Sequence, residues 1–347
     1  MSDPDRGVFD PGAPSRFDGV FGLPTTHEQA RVVLLPVPWE PSTSYRRGTA
    51  GGPRNVRACS HQVDLYDRDF GRVYEAGLFM LDEDPRVVAL NEEACRLSLP
   101  IVEAGGVDPT SPLAASLERV NALSRELNER VQELARRELD AGRRVGLVGG
   151  DHSSPFGLIA ELAARHPGMG ILHVDAHADL RVAYEGFTDS HASIMYNVHE
   201  RLPDVKIVQV GVRDFSEQEL ELARSSSRIL GFFDGDLADR AFHGGTWASV
   251  VDDIVSALPE LVYVSFDVDG LDPALCPGTG TPVPGGLSFA QATFLIREVA
   301  KRRTLVGFDL NEVAGSGVAG EGEWDGIVGA RLLYKLAGAL ARGLSVP

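Results

Sequence analysis

Three short runs carry side chains that together could hold metal ions. They are His152 in Gly149-Gly150-Asp151-His152-Ser153, Asp175, His177 and Asp179 in Asp175-Ala176-His177-Ala178-Asp179, and Asp267 and Asp269 in Asp267-Val268-Asp269. In extended backbone, residues two apart point to the same side. Asp175, His177 and Asp179 therefore converge if their segment stays extended, and so do Asp267 and Asp269. Two imidazoles and four carboxylates exceed what one divalent ion takes and suit two adjacent ions bridged by carboxylate and water. Nitrogen and oxygen donors without thiolate fit Mn²⁺, Ni²⁺ or Fe²⁺ better than structural zinc. Taken singly, an Asp-x-Asp is most often a solvated loop, and a histidine after a strand is most often a satisfied core residue. Four carboxylates buried without cations would be very costly, so the three runs jointly point to a binuclear centre.

Each run directly follows a short apolar stretch. Such stretches recur at 32–37 (VVLLPV), 145–150 (VGLVGG), 170–176 (GILHVDA), 206–212 (KIVQVGV), 261–268 (LVYVSFDV) and 304–310 (TLVGFDL). Runs that are apolar on both faces are what strands of a covered parallel sheet require. Between them, residues 113–140 repeat apolar positions at three- and four-residue spacing. Shorter helices fit 155–165, 216–226, 247–257, 288–301 and 327–342. Strands alternating with helices predict a three-layer α/β/α sandwich with a mostly parallel central sheet. In such a sheet, ligands sit beyond the carboxyl ends of the strands, which is where the three runs lie. Residues 1–30, rich in Pro, Gly and Asp, predict an extended arm, with Phe9, Phe17, Phe21 and Leu23 favouring docking on the body or on a neighbouring subunit. Residues 31–347 contain no obvious linker and predict one catalytic domain.

Composition removes several function classes. Lys and Arg number 33 against 50 Asp and Glu, a net charge of −17. That balance disfavours nucleic acid as a partner and weakly favours a cationic substrate. No apolar run approaches the ~18 residues of a membrane span, and the N-terminus lacks the pattern of a secretory signal. Cys59, Cys95 and Cys276 are scattered and odd in number, so neither a disulfide framework nor a cysteine zinc site is expected, and a reducing cytoplasm is the simplest location. Gly278-Thr279-Gly280 lacks the P-loop lysine pattern, which argues against a nucleotide site. His173, inside a strand run, reads as a packing or supporting residue, and His166, His199 and His243 have no partners visible in sequence.

GGDHS, DAHADLR and SFDVDGLDP, in this order, resemble the metal-binding signatures of the ureohydrolase superfamily of arginases and agmatinases. SYRRGTAGGPRNVR at 44–57, GTGTPVPGG at 278–286 and FDLNEV at 308–313 resemble further elements of that family, so the likeness runs from about Val32 to the C-terminus. The resemblance implies the arginase-like fold and two divalent ions, Ni²⁺ or Mn²⁺. His152, Asp175, Asp179 and Asp267 would be ligands of the first, and Asp175, His177, Asp267 and Asp269 of the second. It implies a hydroxide, available near neutral pH between the two cations, that attacks a guanidinium carbon and releases urea. Asp179 would pass the proton to the leaving nitrogen. His191 in SHASIMYNV matches the family's active-site histidine that is not a ligand, and Glu312 in FDLNEV the carboxylate that pairs with the guanidinium. After this glutamate the family commonly has Asn-Pro where this chain has Ala314-Gly315, so the nearby pocket wall is expected to differ.

The substrate is narrowed by the same kind of likeness. Segments such as PVPWE, SHQVDLYD and the run from Glu323 through Trp324 to Asp325 resemble a subgroup that includes nickel-dependent bacterial guanidine hydrolases. Guanidine or a small alkylguanidine is therefore the expected substrate. Agmatine, guanidinobutyrate or another ω-guanidino compound is the alternative, and formiminoglutamate a further one. Tyr184, Phe187 and Tyr196 supply aromatic bulk after Asp179, and the indole of Trp324 could lie over a flat cation. The subgroup likeness also suggests an arm that closes the pocket, and the family implies a homotrimer or homohexamer. Readings from other classes are a one-metal amide hydrolase on the related deacetylase fold, a non-catalytic partner subunit and a metal-binding regulator. The full set of six ligands speaks against the first two, and a product assay separates the third.

Overall fold

The computed structural model describes residues 9–14, 16–108, 110–315 and 323–344. In chain order the strands are β1 (Val32–Val37), β2 (Leu78–Met80), β3 (Arg144–Gly149), β4 (Gly170–Val174), β5 (Lys206–Val210), β6 (Ile229–Phe232), β7 (Leu261–Asp267) and β8 (Thr304–Asn311). The helices are α1 (Gly52–Ser60), α2 (Pro85–Glu103), α3 (Ala114–Asp140), α4 (Phe156–Arg165), α5 (Ile194–Arg201), α6 (Glu217–Ser225), α7 (Asp234–Phe242), α8 (Trp247–Ala257), α9 (Phe289–Arg302) and α10 (Glu323–Ala341). The strands form one sheet in the order β2-β1-β3-β8-β7-β4-β5-β6, and every pairing is parallel.

Alternation along the strands builds two cores, one on each face of the sheet. Val32 and Leu34 of β1 face α1, α8, α9 and α10, whereas Val33, Leu35 and Val37 face α2, α3, α4 and α5. This is the three-layer sandwich expected from the sequence. The six strand runs read from sequence all occur, with ends shifted by at most a few residues. The short edge strands β2 and β6 carry too few residues to show a pattern. Helix starts follow local chemistry. Ser216 and Glu219 form a capping box on α6, Ser288 and Gln291 one on α9, and Asp84 accepts from the first turn of α2.

The described part of the arm docks on the body. Val20, Phe21 and Leu23 are buried in the core shared with α1 and α10, and the Phe21 ring meets Tyr334 edge-on at 4.8 Å. Phe9 lies 6.0 Å from the Tyr74 ring and 6.2 Å from that of Phe17. No described arm residue lines the cavity at the ligand cluster; the arm instead flanks a separate cavity beside His61–Leu65. The expectation of an arm closed over the pocket is corrected for the described residues. Residues 1–8 and 15 lie outside them.

Candidate metal centre

The chain leaves β1 toward one edge and returns through β3, then jumps to β4, runs to the other edge and returns through β7 and β8. Four neighbouring strands, β3, β8, β7 and β4, thus end side by side at the middle of the sheet. Their carboxyl ends carry His152, Glu312, Asp267 with Asp269, and Asp175 with His177 and Asp179. This is the crevice where open α/β sheets place ligands.

All six predicted ligands meet there. His152 Nδ1 lies 2.9 Å from Asp175 Oδ2, 3.2 Å from Asp179 Oδ2 and 3.3 Å from Asp267 Oδ2. His177 Nδ1 lies 3.0 Å from Asp269 Oδ2 and 3.4 Å from Asp175 Oδ1. Two groups of side chains result, and Asp175 gives one carboxylate oxygen to each. Asp267 offers Oδ2 to the first group, while its Oδ1 accepts the Asp269 N–H at 2.8 Å.

The electrostatics of the cluster call for cations. Burial, with Asp175 alongside, pushes the Asp179 carboxyl up to about 6. Burial followed by the charges of Asp269 and Asp175 pushes Asp267 well above the carboxylate range. Burial works against a charged His177, yet Asp269 and Asp175 hold its imidazole up to about 12. Burial works more strongly against a charged His152, which is more deeply buried, yet the three carboxylates around Nδ1 raise it well above the ordinary range. Protons held this firmly between converging carboxylates mark where divalent cations fit. Mixed imidazole and carboxylate donors agree with that.

Residues beneath the ligands fix their orientation, and the register of the sheet supplies them. Gln209 of β5 pairs with His173 of β4, His173 with Ser265 of β7, and Ser265 with Asp309 of β8. All four are buried. The Gln209 amide donates to Ala178 O at 2.7 Å and to His173 Nδ1 at 3.0 Å. His173 Nε2–H is then left to donate to Asp175 Oδ2 at 2.9 Å. On the other side, Asp309 Oδ1 accepts the Ser265 hydroxyl at 3.0 Å and the Phe266 N–H at 3.3 Å. With its proton committed there, Ser265 Oγ accepts from His152 Nε2–H at 2.8 Å. The lone pair of His152 is thereby turned to Nδ1, toward the carboxylates. His173 also stands within the cluster formed with His152, Asp175 and Asp179, whose candidate ligand atoms lie within 4.8 Å of one another. Gln209, Ser265 and Asp309 escape a motif search, although Ser265 does sit two residues before Asp267 on the same strand face.

Two acidic groups at the site stand on left-handed backbone, Asp179 with φ 54 and Glu312 with φ 62. For non-glycine residues this costs ~1–2 kcal/mol and persists only where surroundings enforce it. The Asp179 carbonyl accepts the Tyr196 N–H at 3.0 Å, and the next amide, that of Leu180, donates to buried Glu219 at 3.1 Å. The Glu312 N–H donates to Gly150 O at 2.8 Å. Its side chain turns inward, and Oε1 accepts the His152 N–H at 3.0 Å. Glu312 Oε2 is buried with no partner among the described residues. Burial, with Asp151 and Asp269 nearby, raises this carboxyl well above its ordinary range.

His177, Asp179 and His191 line one cavity of about 260 Å³. Its walls include Tyr45, Arg181, Tyr184, Asp214, Pro282 and Val283. The Arg181 guanidinium lies over the Tyr184 ring at 4.9 Å and 3.5 Å from Glu219. Burial, with the charges of His177 and His152 next, pushes His191 down to about 3, so its imidazole is neutral. Other sequence candidates fall elsewhere. Trp324 is 51% exposed, donates its indole N–H to Ala274 O at 3.1 Å and is not among the cavity-lining residues. Phe187 is buried against Ile101 and Val120, and Tyr196 does not line the cavity. His199 binds Ser226 and Glu200, and His243 the Asp239 carbonyl. Where a proline is common in the resembled pattern, Gly315 donates its N–H to Gly48 O at 2.8 Å, a bond that proline has no proton to make.

The sequence profile of the Arginase family matches residues 30–337. An N(1)-aminopropylagmatine ureohydrolase of Thermus thermophilus is 34% identical over 301 residues, 86% of this chain and 88% of that protein. An agmatinase of Pyrococcus horikoshii is 31% identical, over 92% of this chain and 96% of its own length. The crystal structure of an agmatine ureohydrolase of Thermoplasma volcanium superposes with a TM-score of 0.69 at 20% identity, covering 93% of this chain and 94% of that one.

Proposed function

This chain belongs to the arginase family, a family of metal-dependent hydrolases of amidino C–N bonds, and from that premise we propose that it releases urea from guanidine or a small alkylguanidine. One observation carries the guanidino assignment. Beside the two ligand groups, a buried carboxylate oxygen, Glu312 Oε2, has no donor from the described residues. A guanidinium carries only N–H donors on a planar, permanently charged frame and satisfies such an acceptor.

His152, Asp175, His177, Asp179, Asp267 and Asp269 would hold two divalent ions, Ni²⁺ or Mn²⁺, which would supply hydroxide near neutral pH. The residues of the chain do the rest. Glu312 orients the guanidinium by charge-assisted hydrogen bonds. Asp179 carries a proton toward the leaving nitrogen, its Oδ2 facing the first ligand group. His191, neutral and on the cavity wall, orients substrate and moves protons at its ring nitrogen. The cavity and the crowding of carboxylates exclude an anionic substrate centre.

The small-substrate reading rests on the segments resembling the guanidine-hydrolase subgroup. It also rests on the lack, among the described residues, of a grip for an α-amino acid: Arg181, the one guanidinium they place on the cavity lining, is engaged by Tyr184 and Glu219. The placement of Trp324 away from the cavity removes one support for it. Agmatine-type compounds are the second reading. Asp214 is an exposed carboxylate at the cavity wall, suited to a cationic tail, and relatives of this chain are named for agmatine and aminopropylagmatine. A catalytic domain over 31–347 acting as a homotrimer or homohexamer completes the proposal, and light scattering reports its mass.

The test is urea release by protein loaded separately with Ni²⁺ and Mn²⁺, on guanidine, methylguanidine, agmatine, guanidinobutyrate and arginine. Selective turnover of guanidine bears out the proposal. Turnover of agmatine alone, weakened by Asp214→Asn, transfers it to the second reading. No urea from any of the five, with two ions bound, rejects both.

A further inference from the structure

The mechanism above uses His191 but not the residues behind it. Ser42, in the loop after β1, and Asp151, after β3, are both buried. Ser42 Oγ lies 3.0 Å from Asp151 Oδ2 and 3.1 Å from His191 Nδ1, and it accepts the His191 backbone N–H at 3.0 Å. Asp151 Oδ1 meanwhile accepts the Ser153 N–H at 3.0 Å and the Ser153 hydroxyl. Trp39 holds Ser153 in turn, its indole N–H donating to Ser153 Oγ at 3.1 Å.

These contacts leave the hydroxyl of Ser42 one arrangement. A carboxylate accepts only, so the Ser42 proton points to Asp151. Ser42 Oγ is then an acceptor toward both His191 N–H and His191 Nδ1. The ring must carry its proton on Nδ1, and Nε2 keeps a lone pair. His191 Nε2 has no hydrogen-bond partner among the described residues, and the ring lines the cavity beside His177 and Asp179. The adjacent Tyr184 ring packs edge-on at 5.8 Å and limits rotation.

We propose that Asp151 and Ser42 are positioning residues that lock His191 as the Nδ1–H tautomer, so that its Nε2 faces the substrate as a proton acceptor. The inference rests on the assigned role of His191 in the guanidino reading, but the tautomer itself does not depend on which compound is hydrolysed. Asp309, Ser265 and His152 repeat the same order of groups with the opposite outcome. There the serine accepts from Nε2–H and turns the lone pair to Nδ1, toward the ligand cluster. Two buried aspartates, each acting through a serine, thus set the two histidines to different ring nitrogens.

The experiment is nitrogen NMR on full-length, metal-free protein labelled with ¹⁵N-histidine, with the His191 signals identified by their loss in His191→Gln. The wild type is expected to show a protonated Nδ1 and a bare Nε2. Asp151→Asn is the decisive variant. The amide oxygen keeps the Ser153 N–H, so the NH₂ faces Ser42, the Ser42 proton turns to Nδ1, and His191 moves to the Nε2–H form. In metal-loaded protein the same variant is expected to lose about 100-fold in kcat with KM within about three-fold and metal content unchanged. Ser42→Ala mixes the two tautomers, and Ser42→Thr restores the wild-type one along with most of kcat. A wild-type His191 protonated at Nε2, or a tautomer unmoved in Asp151→Asn and Ser42→Ala, overturns the proposal. Absence of turnover on every guanidino compound leaves the NMR outcome intact and counts against the guanidino reading alone.

Discussion

The backbone N–H of His152 donates to Glu312 Oε1 at 3.0 Å. The residue that heads the first ligand group therefore also holds the carboxylate proposed to meet the guanidinium. Adjacent strands β3 and β8 make this contact possible, and it ties the Glu312 carboxyl to the His152 segment through the backbone. The free oxygen of Glu312 is aimed by a bond to the ligand segment and not by a flexible side chain alone.

Glu312→Gln keeps the shape and the bond to His152 but removes the charge that meets the substrate. A hydrogen bond to a charged group contributes roughly 1.5–3 kcal/mol, so kcat/KM is expected to fall about 10- to 100-fold. Metal analysis should still find two ions per chain. Unchanged kcat/KM on every substrate would remove Glu312 from the binding site.

Gly280 is close to that same oxygen. A Cβ at this position would lie 3.0 Å from Glu312 Oε2 and 3.5 Å from the Arg46 carbonyl. Gly280→Ala is expected to raise KM about ten-fold by crowding the approach of the guanidinium. The melting temperature should move by only a few degrees, since the backbone there does not need glycine. Steady-state kinetics and a thermal melt check both halves.

Asp267→Ala is expected to abolish turnover and to lose at least one ion, measured by elemental analysis. Its effect on stability should change sign with metal. Burial and the neighbouring Asp269 and Asp175 disfavour the charged Asp267 side chain, so the metal-free variant should melt no lower than the wild type. The metal-loaded variant should melt well below it. Two ions and normal turnover would sink the ligand assignment.

Gln209→Leu removes both bonds of the amide, to His173 and to Ala178. His173 is then free to present either nitrogen to Asp175, whose carboxylate faces both ligand groups. Outer partners of metal ligands contribute about 10- to 100-fold in affinity, and a loss of that size is expected by calorimetric titration. Wild-type affinity would show that His173 needs no partner to orient Asp175.

Metal and pH should be linked. In the metal-free protein His177 is raised from 6.5 to about 12, and His152 is raised as well, against the opposing effect of burial. Between pH 7 and 9 the folded chain thus binds protons that the unfolded chain has released, so stability falls as pH rises through this window. Ions displace those protons. Melts at pH 7 and pH 9 should show a larger stabilisation by Mn²⁺ or Ni²⁺ at pH 9, with proton release on binding at pH 7. Equal stabilisation at both values would mean that the histidines are not protonated in the folded chain.

The layered fold and the side chains that gather in the cluster were legible in the sequence. Apolar runs of both-face character name the inner strands, and ligand-bearing segments follow strand ends because open parallel sheets bind there. Period two in DAHAD already places Asp175 with His177 on one side, but Asp267 and Asp269 meet differently from the extended segment expected: β7 ends at Asp267, and a 3-10 turn over Val268–Gly270, capped by Asp267 Oδ1, carries Asp269. Glu312 and His191 came from resemblance; His191 lines the cavity, whereas Glu312 lies behind the cluster, bonded to the His152 N–H and not among the cavity-lining residues.

The rest depends on contacts between distant segments. The polar row from Gln209 through His173 and Ser265 to Asp309 exists because parallel register sets four strands level, and no spacing in the sequence encodes that register. Ser42 and Asp151 are 109 residues apart and meet at one hydroxyl. The arm could be read as docking but not as docking away from the cavity, since its phenylalanines fit any apolar surface and only the α1 and α10 face selects among them. Trp324 shows the converse: an aromatic residue suited to stack on a cation lies off the cavity wall, because residue type fixes what a side chain can bind, and packing fixes what it can reach.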